Sequence, residues 1–547
     1  MRPVTLTHIE TVGIQEYIFG SNNLRQNVGA SESVTRATTE WLARALHAQG
    51  IATNVVWNKN AFELKFGAQT IADDTAQAEV IYAGGGNALA LFAGDSTQLA
   101  KDFTRQLTRQ VLGDARGLSL VIESATFDWD DPRASLAQIH QQLRRDLVRR
   151  KHARATDTPL TGVSVTAACE FTGLPVVGRD FDGRLVSQVV KHKLRHFEPV
   201  VEGEQKFIPA DRHHRVLCGI PDDKEFVYDF DQFGEKGKAS YIAVVHTDGN
   251  CMGKRFQAIA EQYPAQPNNA DYIKHLRALS DAVNQKGKAA VQATTQRLLA
   301  SYQNGKYAGI TATPDEDRFP FRLIVFGGDD TTFVTDGRLG LSLAAFFLQK
   351  LGEGNLPKPT DDPQQPTGDP LYARAGIAIV KSHFPFSRAY QLAASLAHQA
   401  KLRIQELNQD AHLSAFDWHV STSGVMESLA DIRAREYVSQ KGNSLLQRPL
   451  VLGQPAHWQS WETFAKVMQE FTKPRPEGKW AGRRNKIKAL QDALRLDEDG
   501  VKQFIANYRI GALPPIDAYP QMATQGWSSE HCGYFDALEA CDFFAAL

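Results

Sequence analysis

Two adjacent carboxylates, Asp329 and Asp330, follow two glycines, Gly327 and Gly328, in the stretch FRLIVFGGDDTTFV (residues 321–334). Side by side the two charges repel, and a bound cation is what would reward the arrangement. A third carboxylate, Asp248, closes the run SYIAVVHTD. Hard oxygen donors of this kind suit Mg²⁺ or Mn²⁺. Two such ions, about 3.5–4 Å apart, clamp the attacking and leaving oxygens of a phosphoryl displacement. One ion would help ionise a ribose hydroxyl and the other would neutralise a triphosphate, leaving little covalent work for the protein. Gly-Gly-Asp-Asp is also an ordinary polar turn. Asp248, at the end of a strand-like run, is what sets this turn apart.

The surrounding elements must bring residue 248 to residues 329–330. SYIAVVHTDG reads as a strand, residues 270–303 as one or two helices, and 321–334 as a hairpin whose turn carries the glycines. GLSLAAFFLQKL then reads as a helix and LYARAGIAIVKS as a strand. SRAYQLAASLAHQAKLRIQEL follows as a helix with Ala389, Leu392, Leu396 and Ala400 on one face. This order is ferredoxin-like, with the hairpin beside the first strand. The N-terminal part repeats it: a strand through PVTLTHIETVG, a helix from a Ser cap in SESVTRATTEW to Gly50, the hairpin AEVIYAGGGNALALFAG, a helix and a strand. Glu10 to Asn87 spans 77 residues and Asp248 to Asp330 spans 82. The first turn, Gly84-Gly85-Gly86-Asn87, keeps glycines and lacks carboxylates, so one copy is read as catalytic and the other as degenerate.

The expected architecture is therefore α+β: two ferredoxin-like palm domains, the first degenerate, plus a C-terminal helical domain. The boundaries expected are 1–155, an intervening linker region 156–238, 239–425 and 426–547. Residues 353–370, rich in Pro and Asp, read as a surface loop, and Ile487, Leu490, Leu494, Val501, Phe504, Ile505 and Tyr508 keep helical spacing.

Composition narrows the rest. The chain has 547 residues, 42% hydrophobic and 22% charged, with a formal charge of −1, so no global field points to nucleic acid or a membrane surface. Five scattered cysteines without a C-x-x-C pair fit a reducing compartment, and no run of about 18 apolar residues occurs. The expectation is a soluble cytoplasmic protein. Neither a phosphate-binding P-loop nor a nucleophile-elbow motif is present.

The chain resembles the large polymerase/cyclase subunit of type III CRISPR effector complexes. The residues that carry the resemblance are HIETVGIQEYIFGSNNLRQNVGAS, TDGNCMG, FGGDDTTFV, AGIAIVKSHFPFSRAYQLAASLAHQAK, SAFDWHV and RPLVL, in that order. The resemblance implies two palm domains of which the second is active. It implies joining of ATP into cyclic or linear oligoadenylate second messengers in antiviral defence, with two Mg²⁺ or Mn²⁺ ions on Asp248, Asp329 and Asp330. It implies nucleotide contacts at Gly327 and Gly328, and at Lys401 near the triphosphate, where a solvated helix face is the competing reading. Gly29, Ala30 and Ser31 match a first-palm turn at the acceptor nucleotide, and a helix cap is the alternative there. An RNA or phage-derived trigger, a downstream cyclic-nucleotide-sensing effector, and CRISPR-type subunits or a second copy are the partners it implies. No His-Asp dipeptide and no zinc-type cysteine pairs occur, so a form lacking the nuclease domain is expected.

Two rival functions share these residues. A diguanylate-cyclase-like enzyme would use the same fold, yet Thr331 follows Asp330 and the stretch DRFPFRLIVF just upstream lacks an Arg-x-x-Asp motif. A non-catalytic nucleotide- or RNA-binding scaffold would use the basic stretches Arg144–Arg154 and Arg483–Lys488, for which charged helix faces are the plainer reading. His213 and His214 read as a surface loop, and His246 faces the same way as Asp248 with no role assigned.

Overall fold

The computed structural model describes residues 2–153, 166–202, 205–235, 240–263, 268–358, 366–407, 412–421, 428–455, 457–473, 480 and 484–547. The boundaries expected at 155/156, 238/239 and 425/426 lie outside them, as do Arg154 and Arg483.

Two sheets organise the chain. The first is built from β1 (Pro3–Val12), β2 (Ala78–Gly84), β3 (Asn87–Ala93) and β4 (Ser119–Asp128), in the order β2-β3-β1-β4, all antiparallel. The second contains β5 (Tyr241–Gly249), β6 (Phe321–Phe326), β7 (Thr331–Asp336) and β8 (Ala373–Lys381), in the order β6-β7-β5-β8. It continues through β9 (Ala415–Ser421), parallel to β8, and β10 (Leu450–Val451). The first four strands of each sheet thus share one layout. The run SAFDWHV becomes β9, a strand that periodicity alone does not announce.

β5 reads as a nearly continuous apolar run because both its faces are covered. One apolar core runs from Leu6, Leu89 and Leu91 to Ala243, Val245 and Tyr272. The other runs from Ile9, Val28 and Ala90 to Val244, Ile324 and Leu396. Each core draws on both sheets.

The helices that matter for the site are α1 (Ile14–Phe19), α2 (Leu24–Thr38), α3 (Glu40–His47), α4 (Ser96–Asp114), α5 (Leu136–Ala153), α6 (Pro209–Cys218), α7 (Asn269–Ala300), α8 (Gly340–Leu351) and α9 (Phe386–Glu406). Ala389, Leu392, Leu396 and Ala400 are buried on one face of α9, as their spacing predicts. The first-copy helix departs from expectation. It begins at Leu24, where the Asn23 side chain accepts from the Gln26 N–H at 3.1 Å, and it breaks at Thr39 before α3. Ser31 and Ser33 therefore lie inside a helix, and neither is its cap.

The intervening region is more ordered than a linker. His213 and His214 belong to α6, not to a surface loop. His213 Nδ1 lies 2.7 Å from Glu32 Oε2, and His214 is buried. The acidic partner sits 181 residues away, so no local spacing could reveal it. Arg322 on β6, fully buried, donates to Asp211 of α6 at 3.0 Å and ties this region to the strand that leads into the Gly-Gly-Asp-Asp turn. At the C-terminal end, α10 (Trp461–Thr472), α11 (Arg484–Arg495), α12 (Asp497–Tyr508) and α13 (Phe535–Ala540) follow, the middle two bearing out the helical spacing, with one short strand pair, Trp527–Ser528 and His531–Cys532, between the last two among the described residues.

Among the described residues no helix is long and apolar enough to cross a membrane. All five cysteines are free thiols.

Candidate active site

Register brings the carboxylates together. Thr247 stands opposite Thr331, which sets Asp248 level with Asp330 at the mouth of the hairpin. The hairpin closes through the Gly327 N–H donating to the Asp330 carbonyl at 2.8 Å. Gly328 turns the chain at φ +90°, where a side chain would be strained. Asp329 packs directly on Gly249, the residue after Asp248: a Cβ at Gly249 would lie 2.7 Å from Asp329 Cβ and 2.8 Å from Asp329 Oδ2. α7 crosses the turn at Gly287, whose missing side chain lets the Gly328 carbonyl sit against the helix. The close approach that Gly327 and Gly328 permit is thus made by protein backbone, since Gly327 meets Gly85 of the first turn on its other side.

The electrostatics follow from this crowding. Burial, then Asp330 and Asp248, push the Asp329 carboxyl up to about 7. Burial and then Asp248 push Asp330 up to about 7, with Arg374 opposing. The Asp330 side chain is half exposed, yet its Oδ1 is buried and has no hydrogen-bond partner. His246, buried two residues before Asp248, places Nδ1 3.6 Å from Asp330 Oδ1 and 3.1 Å from Thr332 Oγ1. Burial holds His246 down to about 4, so it stays neutral around pH 7. The sequence signal for His246 was strand alternation, which puts it on the face of Asp248.

Arg374 was not anticipated. It lies directly opposite Asp248 on β8 and contacts Asp248 Oδ2. It also donates to the Gly249 carbonyl at 3.2 Å and to Asn250 Oδ1 at 3.1 Å. Among the described residues no three His, Cys, Asp or Glu side chains share a ready-made ion site. The donor set still fits a divalent ion: three hard carboxylates, of which Asp329 and Asp330 have their proton affinity raised by burial and by the neighbouring Asp248, with the buried Asp330 Oδ1 left without a hydrogen-bond partner. Asp248, Asp329 and Asp330 are the residues that could hold it.

The other expected residues divide. Lys401 lies on α9, half-buried, and pairs with no carboxylate among the described residues. Gly29, Ala30 and Ser31 are buried inside α2 and form neither a turn nor a cap. A Cβ at Gly29 would collide with the Lys193 carbonyl, so this glycine serves helix packing. α1 and the turn after it nevertheless meet α9, with Phe19 stacked on Tyr390 at 3.6 Å and Asn22 accepting from the Phe386 N–H at 2.8 Å. Half of the described basic residues are paired: Arg150 with Glu123 at 2.7 Å, Arg149 with Asp146 at 3.5 Å, Arg484 with Asp542 at 2.9 Å, and Lys151 with Glu10. This favours the charged-face reading.

Comparison with solved structures settles the architecture. Csm1 of T. onnurineus superposes with a TM-score of 0.53 at 13% identity, covering 100% of this chain and 70% of that one. This is the fold of Csm1. A Csm1–Csm4 cassette in complex with cA3 matches with a TM-score of 0.51 at 12% identity, and one in complex with one ATP with a TM-score of 0.50 at 13% identity. Each covers 100% of this chain and 70% of the Csm1-like one. At these identities the likeness establishes the fold. No protein-family profile matches the chain, and no curated protein does. On the Csm1 fold the chain thus carries an acidic cluster at the hairpin beside the first strand of its second sheet.

Proposed function

We propose that the chain is a nucleotidyltransferase that joins ATP into cyclic or linear oligoadenylates, with Asp248, Asp329 and Asp330 as its divalent-ion ligands. The observation that carries this reading is the register that sets Asp248 level with the Asp329–Asp330 turn on a Csm1 fold. Structures of the Csm1–Csm4 cassette with ATP and with cA3 add support by analogy.

Bound Mg²⁺ or Mn²⁺ would supply charge neutralisation at a triphosphate and acidify a ribose hydroxyl. The chain's own residues do the positioning. Gly249 leaves room for the Asp329 carboxylate, and Gly287 seats the turn on α7. His246, held neutral, lies beside Asp330 without adding charge. Lys401, without a carboxylate partner among the described residues, is available to a polyphosphate. An RNA or phage-derived trigger, a cyclic-nucleotide-sensing effector and CRISPR-type partner subunits belong to the same proposal.

The test is incubation with each NTP and Mg²⁺ or Mn²⁺, with products resolved by mass spectrometry. ATP should give oligoadenylate, and Asp329→Ala combined with Asp330→Ala should remove it while the thermal melt stays cooperative. Wild-type turnover in that double variant would refute the site.

A further inference from the structure

Asp248 already has a cation. Arg374, 15% exposed at its side chain, contacts Asp248 Oδ2 from the neighbouring strand and braces the Asp248–Gly249–Asn250 turn through two more acceptors. The pairing is built into the sheet, because Asp248 and Arg374 are register partners across β5 and β8. Its counterpart in the first sheet differs. Glu10, at the same place on β1, faces Val121 across the strands and takes its cation, Lys151, from α5. Lys151 and Lys401 each lie fifteen residues past the first residue of their helix, Leu136 and Phe386. In the first copy the helix lysine neutralises the strand carboxylate; in the second, Arg374 does so, and the helix lysine pairs with no carboxylate among the described residues.

We infer that Arg374 is the resident counter-cation of Asp248 and competes with a divalent ion for that carboxylate. A guanidinium in contact with a ligand oxygen repels an incoming divalent ion at a few ångströms, at a partly buried site where the interaction is screened less than in bulk water. Asp248 is thereby held in place with one oxygen engaged, and the metal-free protein avoids three uncompensated carboxylates at one hairpin. The inference rests on the reading of Asp248, Asp329 and Asp330 as ion ligands.

The experiment measures Mn²⁺ binding to the full chain without nucleotide, following free Mn²⁺ by electron paramagnetic resonance. Arg374→Gln should bind Mn²⁺ roughly tenfold more tightly than wild type, whereas Arg374→Lys, which keeps the charge, should stay within about twofold. Thermal melts identify any variant that fails to fold; should Arg374→Gln be one, Arg374→Met, which also removes the charge, takes its place with the same roughly tenfold expectation. Unchanged or weaker Mn²⁺ binding in folded Arg374→Gln overturns the competition and leaves Arg374 as a brace alone. The Asp329→Ala/Asp330→Ala variant separates the two levels. If it binds Mn²⁺ as wild type does, the ion site itself is misassigned; if it loses binding while Arg374→Gln changes nothing, only the role of Arg374 falls.

Discussion

The two sheets place the same groups at the same positions and use them differently. His8 precedes Glu10 as His246 precedes Asp248. His140, four residues into α5, meets His8 with ring centroids 5.2 Å apart at 67°. Tyr390, four residues into α9, meets His246 at 5.3 Å and 68°. Glu10 stands opposite Asn87, and Asp248 comes level with Asp330. Gly86 and Asp329 then correspond, and so do Thr11 and Gly249. In the first copy a Cβ at Gly86 would strike Thr11 Oγ1; in the second a Cβ at Gly249 would strike Asp329. The bulk has changed sides. Each site admits one side chain between strand end and turn, and only the second spends that space on a carboxylate. The first copy is therefore closed to a second carboxylate by packing as well as by composition.

The sharpest way to break the comparison is to give the second copy the packing of the first. Gly249→Thr should cost about 2–4 kcal/mol of stability, because the side chain has no room beside Asp329, and should lower ATP turnover by at least about a hundredfold through misplacement of a ligand. Adding Asp329→Gly recreates the Thr11–Gly86 arrangement. The double variant should regain most of the stability in denaturant melts and none of the turnover. A double variant no more stable than Gly249→Thr alone would show that the two turns are not equivalent.

What could be read from the chain alone follows the range of the interactions. The Gly-Gly-Asp-Asp hairpin, the β5 run ending in Asp248 and the α9 face are local patterns, and they were legible. Arg374 depends on register across β5 and β8, and His213 finds Glu32 across 181 residues, so neither leaves a local mark. The start of α2 was misplaced because SESV looks like a cap, while the working cap, Asn23, precedes a stretch whose Gly29 weakens the helical signal. Gly287 reads as a defect in a long helix until the hairpin carbonyl it admits is known. The strand β9 is short and follows a helix, so only the sheet reveals it.

A second comparison is between the acidic turn and the neutral one as pH changes. In the metal-free protein Asp329 and Asp330 are raised from the ordinary 3.8 to about 7, first by burial and then by the neighbouring carboxylates, Asp330 and Asp248 acting on Asp329 and Asp248 on Asp330. Between about pH 4 and 7 the folded state holds protons that the unfolded state has released, so stability falls as pH rises through that window. Because Asp330 is half exposed, the expected loss from pH 5.5 to 8 is only about 1–2 kcal/mol. Asp329→Asn with Asp330→Asn should remove that dependence and stand above wild type at pH 8 in chelator. Mn²⁺ should raise the wild type alone. Equal pH slopes in wild type and double variant would mean that the turn carboxylates are not crowded as described.

The smallest effect concerns the two lysines. Lys151 contacts Glu10 with its side chain one-third exposed, whereas Lys401 has no carboxylate partner among the described residues. A partly exposed pair contributes about 0.5 kcal/mol and is screened by salt. Lys151→Met should therefore lower stability by about that amount in dilute buffer, and the gap should close in about 1 M salt. Glu10→Gln should cost no more, and the two changes combined should cost less than their sum, as expected of groups that act on each other. Lys401→Met should leave stability unchanged at either salt concentration, because among the described residues no carboxylate pairs with it. If Lys401→Met were the salt-sensitive variant, the second copy would be neutralised by its helix lysine as the first is, and the division of labour between Arg374 and Lys401 would be wrong.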